Sequence, residues 1–157
     1  MSLIGQPLPP FSLPDATGRL WTPADLEGRW TVLYAYPKDA TPGCTREACA
    51  FRDAHGALQA AGAQVLGISR DGTARHQAFA SAQRLPFPLL SDPEAALLRP
   101  LGAFGKKVLY GKEHEGVIRS TFLVGPDGRV RHVWPKVRVE GHAEEVLEKL
   151  EALRVSA

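Results

Sequence analysis

The chain lacks most of the features that would mark an unusual protein. No uninterrupted apolar run approaches the ~18 residues that a spanning helix requires, so no membrane role is expected. Charge of neither sign is in excess. The 19 Lys and Arg against 17 Asp and Glu leave a formal net charge of +2, which calls for neither nucleic acid nor an anionic membrane as partner. There is no internal repeat and no low-complexity segment, which excludes a repeat array. The opening residues, MSLIGQPLPPF, have neither the charged n-region nor the apolar h-region of a secretory signal, so a cytoplasmic location is expected. Cysteine is the telling scarcity: only Cys44 and Cys49 are present. In a reducing compartment a close pair of thiols is more often catalytic or metal-binding than structural.

What remains is an ordinary globular composition, 44% apolar and 23% charged over 157 residues, which fits a single domain spanning 1–157. The 13 prolines and 15 glycines fall mostly between apolar segments, as turn chemistry. Phe11–Leu13 and Arg19–Trp21 flank Pro14-Asp15-Ala16-Thr17-Gly18 and predict a hairpin. Thr22 to Gly28 predicts a short helical turn. Trp30 to Tyr36 reads as a central strand, nearly continuous in apolarity. A long helix follows over Thr41 to Ala61, stopped by Gly62. Next come a strand (Gln64–Ser69), a helix (Thr73–Gln83), a short extended piece (Phe87–Ser91) and a brief helix (Pro93–Leu98). Ala103 to Gly116 has no clean period and reads as a loop or irregular edge. Ser120–Val124 and Val130–Val133 are strands joined through Gly125-Pro126-Asp127-Gly128, a hairpin signal. An amphipathic helix over Ala143–Leu153 closes the pattern. This order predicts an α/β architecture, a mixed central sheet flanked by helices on both faces. It is the order of a thioredoxin-like fold with an N-terminal β-hairpin extension. The strand-to-helix junction at Pro37–Thr41 then lies at the carboxyl end of the sheet, where such folds bind ligands.

Both thiols lie just past that junction. Thr41 suits a helix N-cap, Pro42 suits N1, and Gly43 permits close approach to the backbone. Cys44 then falls near the third helical position, among unpaired N–H groups at the positive end of the helix dipole, a setting that favours thiolate. Cys49 cannot reach it while the helix is intact. Five residues of α-helix separate the Cα atoms by ~8.6 Å, whereas a disulfide needs less than about 7 Å. Either the first turns unwind during a reaction, which is cheap at a helix end, or the two thiols have unrelated roles.

The run Pro37-x-x-x-Thr41-x-x-Cys44 resembles the P-x-x-x-T-x-x-C signature of the peroxiredoxins. The stretch TPGCTREACAFRD, with its second cysteine five residues on, looks like the bacterioferritin comigratory protein or Q-type branch. Arg119-Ser120-Thr121-Phe122-Leu123 resembles the arginine-bearing strand of that family, and the likeness spans nearly the whole chain. The resemblance implies a cysteine-based peroxidase that reduces hydrogen peroxide and organic hydroperoxides without metal, haem, flavin or other cofactor. Cys44 would be the peroxidatic nucleophile and pass through a sulfenic acid. Thr41 would hydrogen-bond the peroxide and the sulfur, and Pro37 would shield the sulfenate. Arg119 would hold the thiolate, with Glu47 orienting its guanidinium. Cys49 would resolve the sulfenic acid into a Cys44–Cys49 disulfide, reopened by a thioredoxin-like reductant. With no distant third cysteine to resolve across a dimer, a monomer is expected.

Other readings compete. A thiol–disulfide oxidoreductase of the same fold usually presents C-x-x-C, whereas four residues separate these cysteines. A redox-regulated binding or holdase protein would show no turnover. The histidines offer no metal-ligand spacing, and His55 lies ~16 Å along the helix from Cys44, too far to be its base. Trp21, Trp30 and Trp134 read as packing residues, and the charged face around Glu144–Lys149 as solvated.

Overall fold

A computed structural model of the chain describes residues 3–156, so both ends of the domain expected over 1–157 lie outside the described residues. Five strands form the central sheet: β3 (Trp30–Ala35), β4 (Ala63–Ser69), β5 (Leu89–Ser91), β8 (Ser120–Val124) and β9 (Val130–Trp134), in the order β5-β4-β3-β8-β9. β3 runs parallel to β4, and β4 to β5, while β3–β8 and β8–β9 are antiparallel. The sheet is therefore mixed, as expected for a thioredoxin-like fold. Before it come a short hairpin of β1 (Leu13–Pro14) and β2 (Leu20–Trp21) and a 3-10 turn over Pro23–Leu26. Three α-helices complete the fold: α1 (Pro42–Ala60), α2 (Thr73–Gln83) and α3 (His142–Ser156). No helix among the described residues is long and apolar enough to cross a membrane.

All six residues of β3 are buried, because the sheet is covered on both faces. Alternation sends Val32 and Tyr34 to one face and Leu33 and Ala35 to the other. The first face receives Ala48, Phe51 and Leu58 from α1, Phe79 from α2, and Ala143, Val146 and Leu150 from α3. Among the described residues, no α-helix packs on the second. Leu8, Leu13, Trp21 and Leu26 from the N-terminal arm cover it, together with Leu97, Leu98, Leu101, Phe104 and Val117. The expectation of helices on both faces is thus met on this side only by the 3-10 turn that carries Leu26.

The N-terminal arm also ties both outer strands of the sheet. Gly5 N–H donates to the Val130 carbonyl at 2.7 Å and Val130 N–H to the Gln6 carbonyl at 2.9 Å, while Asp15 bridges to Leu90 of β5.

Two local expectations are corrected. Residues 93–98 form turns, not a helix. The Asp92 carboxylate accepts the N–H groups of Ala96, Leu97 and Leu98 at 2.8, 2.9 and 2.9 Å, and Ala95 takes φ 56°, which no helix tolerates. Residues 103–116, read as irregular, instead hold the antiparallel hairpin β6 (Phe104–Leu109) and β7 (Lys112–Val117). Its two-residue turn places Tyr110 and Gly111 at φ 53° and 77°, the left-handed pair that matches strand twist.

Register places the site. Ala35 pairs with Ser120, so Arg119 enters β8 opposite the point where β3 gives way to the loop leading into α1.

Candidate active site

The chain leaves β3 through Pro37–Ala40 and enters α1 with Thr41 in N-cap geometry (φ −80°, ψ 155°) and Pro42 in the first turn. The Thr41 carbonyl accepts the first helical bond, from Thr45 N–H at 2.8 Å. Its side chain makes no cap bond; the hydroxyl donates instead to the Lys38 carbonyl at 2.8 Å. This spends its hydrogen and leaves oxygen lone pairs to accept.

Cys44 is 1% exposed, in the first turn of α1. Arg119 Nη2 donates to its Sγ at 3.4 Å, and Nη1 donates to Glu47 Oε1 at 2.6 Å. The guanidinium therefore bridges sulfur and carboxylate, side chains one turn apart on the same helix. A Cβ at position 43 would lie 3.2 Å from Arg119 Nη2, so Gly43 leaves room for the guanidinium itself. Glu47 is 1% exposed and its Oε2 has no hydrogen-bond partner. Burial pushes its carboxyl up to about 7 against the pull of Arg119. The Tyr34 hydroxyl, on the strand beneath, is likewise buried without a partner.

Pro37 and Arg119 face a cleft of about 440 Å³. Val108, Ile118 and Val137 supply apolar wall, and Lys106, Lys107 and Lys136 supply positive charge. Burial, assisted by the neighbouring Arg119, holds the Lys107 ammonium below its ordinary range, and Lys107 Nζ donates to the Val117 carbonyl at 2.7 Å. Sequence reasoning singled out none of these lining residues except Pro37 and Arg119. The hairpin that brings the first two lysines was itself unrecognised.

Five of the six predicted residues, Pro37, Thr41, Cys44, Glu47 and Arg119, lie around this junction. Cys49 does not join them. It is half-buried, and its Sγ points across to Gln83 Oε1 on α2 at 3.5 Å; both cysteines are free thiols.

A second polar cluster, absent from the sequence reading, lies behind the same loop. Asp39, Asp71 and His76 bring ligand-type atoms within 4.8 Å of one another. These atoms already have protein partners. Tyr36 OH and His76 Nδ1 engage the Asp39 carboxylate, Asp39 N–H and Arg75 engage that of Asp71, and His76 Nε2 meets the Leu90 carbonyl. No metal role is assigned to it.

Comparison with known proteins bears on what this arrangement does. Residues 4–133 match the AhpC/TSA family. Peroxiredoxin Bcp of Bacillus subtilis is 42% identical over 147 residues, covering 94% of this chain and 94% of its own length. Peroxiredoxin Bcp of Escherichia coli K12 is 39% identical over 143 residues, covering 91% and 92%. The solved structure of a Xylella fastidiosa PrxQ mutant superposes with a TM-score of 0.90 at 39% identity, covering 96% of each chain. The bacterioferritin comigratory protein of Xanthomonas campestris, whose alkyl peroxide reduction was followed in trapped intermediate and ligand complexes, gives 0.86 at 42% identity, covering 90% of each.

Proposed function

The chain belongs to the AhpC/TSA family and is a peroxiredoxin of the Bcp/PrxQ kind, a thiol peroxidase; from that membership we propose that Cys44 is its peroxidatic cysteine and Cys49 its resolving one. The observation that carries this reading is the Arg119 guanidinium, held by Glu47 and donating to the Cys44 sulfur.

In the proposed cycle the Cys44 thiolate attacks the terminal oxygen of a hydroperoxide. An S–O bond forms as the O–O bond breaks, the sulfur is oxidised to sulfenic acid, and the departing alkoxide or hydroxide takes up a proton as alcohol or water. Charge develops on both oxygens. The N–H groups at the start of α1 and the Arg119 guanidinium are fixed donors aimed at that charge. The Thr41 oxygen, with its own hydrogen spent on Lys38, is suited to accept from the O–H of the peroxide. Pro37 closes one side of the cleft and limits access of water. The Cys49 thiol then attacks the sulfenic sulfur, forming the Cys44–Cys49 disulfide and releasing water. A thioredoxin-like dithiol reopens it by exchange. The separation of five helical residues, ~8.6 Å between Cα atoms, requires the first turns of α1 to unwind for this step.

Hydrogen peroxide and organic hydroperoxides are the proposed substrates. Alkyl peroxide reduction by the Xanthomonas campestris relative and the aliphatic wall of Val108, Ile118 and Val137 support the organic part. We propose further that the chain works as one domain and as a monomer, since both thiols needed lie in one helix. A cytoplasmic location, where free thiols are maintained, completes the reading.

The test is peroxide-dependent oxidation of reduced thioredoxin. Wild type is expected to turn over and Cys44→Ser to be silent. Cys49→Ser is expected to consume one equivalent of peroxide and accumulate a dimedone-reactive sulfenic acid on Cys44. Full turnover by Cys44→Ser would remove Cys44 from its role, and undiminished turnover by Cys49→Ser would remove Cys49.

A further inference from the structure

The proposed chemistry makes no use of the buried polar cluster around Asp39 and His76. Tyr36, Asp39 and His76 are 1%, 2% and 0% exposed. The Tyr36 hydroxyl donates to Asp39 Oδ1 at 2.6 Å, and His76 Nδ1 meets Asp39 Oδ2 at 2.6 Å. His76 Nε2 lies 2.9 Å from the Leu90 carbonyl oxygen. A carbonyl only accepts, so Nε2 carries a hydrogen and donates to it. The Asp39 N–H donates to Asp71 Oδ2 at 2.9 Å. Asp39 sits midway along the loop leading to Cys44, and these bonds tie its side chain to α2 and its main chain to the turn before α2. The next residue, Ala40, is held at φ 65°, a conformation that a residue with a Cβ keeps only when its surroundings impose it.

The other end of α2 makes the matching contacts. The Gln83 carbonyl, left without a helical partner at the end of α2, accepts Arg52 Nη1 at 2.8 Å. The Gln83 side chain faces Cys49 Sγ. The first turn of α2 thus holds residue 39, and its last residue holds 49 and 52. Between those anchors lies the segment that must unwind before the two thiols can meet. A cleft of about 300 Å³ lies between the loop and α2, bordered by Ala40 on one side and Ala78 and Ala82 on the other.

We infer that His76 and Gln83 are positioning residues: through them α2 acts as a splint across residues 39–52, keeping Cys44 in its peroxide-reactive place and setting how readily the start of α1 releases to let Cys49 close the disulfide. This rests on the Cys44–Cys49 disulfide proposed above. The splint changes the rates of the two steps and leaves their products unchanged. Weakening it favours the unwound state, which closes the disulfide, over the folded state, which meets peroxide.

The experiment compares reduced wild type with His76→Ala, Arg52→Ala and Gln83→Ala in single turnovers quenched with dimedone, scored by mass spectrometry, alongside amide hydrogen exchange. The Arg52 and Gln83 sites are only partly buried, so those variants keep the test alive should His76→Ala fail to fold. In the variants, disulfide closure is expected to quicken about 3- to 10-fold, while the peroxide step slows by less than about 2-fold, because the folded state remains the major one. Exchange over residues 42–49 should accelerate, and sulfinic acid at high peroxide should diminish. Closure and exchange unchanged from wild type, or both chemical steps slowed together, would overturn the splint alone. Absence of any Cys44–Cys49 disulfide in the wild type would overturn the proposed resolution and the splint with it.

Discussion

Glu47 has two requirements that oppose each other. It must be ionised to hold Arg119 at 2.6 Å, yet it is buried with one oxygen unpartnered, and burial pushes its carboxyl up to about 7 from an ordinary 4.5. Folding therefore tightens its hold on a proton. Between those two values the folded chain binds the extra proton, so the contribution to stability is complete below pH 4.5 and is lost as pH rises through about 7. Relative to Glu47→Gln, the wild type should lose on the order of 2–3 kcal/mol between pH 4.5 and 8. Urea midpoints of both proteins across that range would check it, and a constant difference would refute it. At this level the sequence was most legible where the chemistry is contiguous. Pro37, Thr41, Cys44 and Glu47 lie within eleven residues, and Arg119 was supplied by its strand. Asp39 and His76 were not legible, because 37 residues separate them and only the packing of α2 brings them together.

Among the elements, α1 carries both thiols and also helps to build the core. Its inner face places Ala48, Phe51 and Leu58 on the sheet, and Phe51 stacks on Tyr34 with ring centroids 4.8 Å apart. Phe51→Ala is expected to cost about 3–5 kcal/mol in denaturant unfolding, from lost transfer energy and the cavity left behind; a loss under 1 kcal/mol would mean the neighbours collapse into the space. The strands and helices with a clear period were read within one to three residues at their ends, the largest difference being the C-terminus of α3, expected at Leu153 and found at Ser156. The β6–β7 hairpin escaped because Lys106, Lys107, Lys112, Glu113 and Glu115 interrupt any alternation of apolar residues, and its turn carries Tyr-Gly in place of the commoner Asn-Gly. The supposed helix over Pro93–Leu98 failed for the opposite reason. Its composition permits a helix, but the Asp92 carboxylate takes three consecutive N–H groups and holds the segment in turns.

In the molecule as a whole, the proposed cycle would ask a well-packed protein to give up part of its longest helix. A disulfide between residues 44 and 49 closes a very short loop and so removes little freedom from the unfolded chain. Meanwhile the unwound turns forfeit helical bonds and the burial of residues around Cys44. The oxidised protein is therefore expected to melt several degrees below the reduced one, measurable by calorimetry with and without reductant, with lower helical ellipticity. An oxidised form that melted higher would mean that the helix survives closure.

The arm over residues 5–15 bears on this cost. By pinning Val130 on one outer strand and Leu90 on the other, it occupies backbone groups that a foreign strand would otherwise seek. A protein that loosened itself at every turnover, as the proposed cycle requires, would expose apolar surface each time, and that is the moment when neighbouring chains could zip together. Were the helix to open as proposed, keeping both flanks of the sheet fastened would confine the loosening to the one helix end where it is useful, and would let the catalyst open repeatedly without becoming a seed for aggregation.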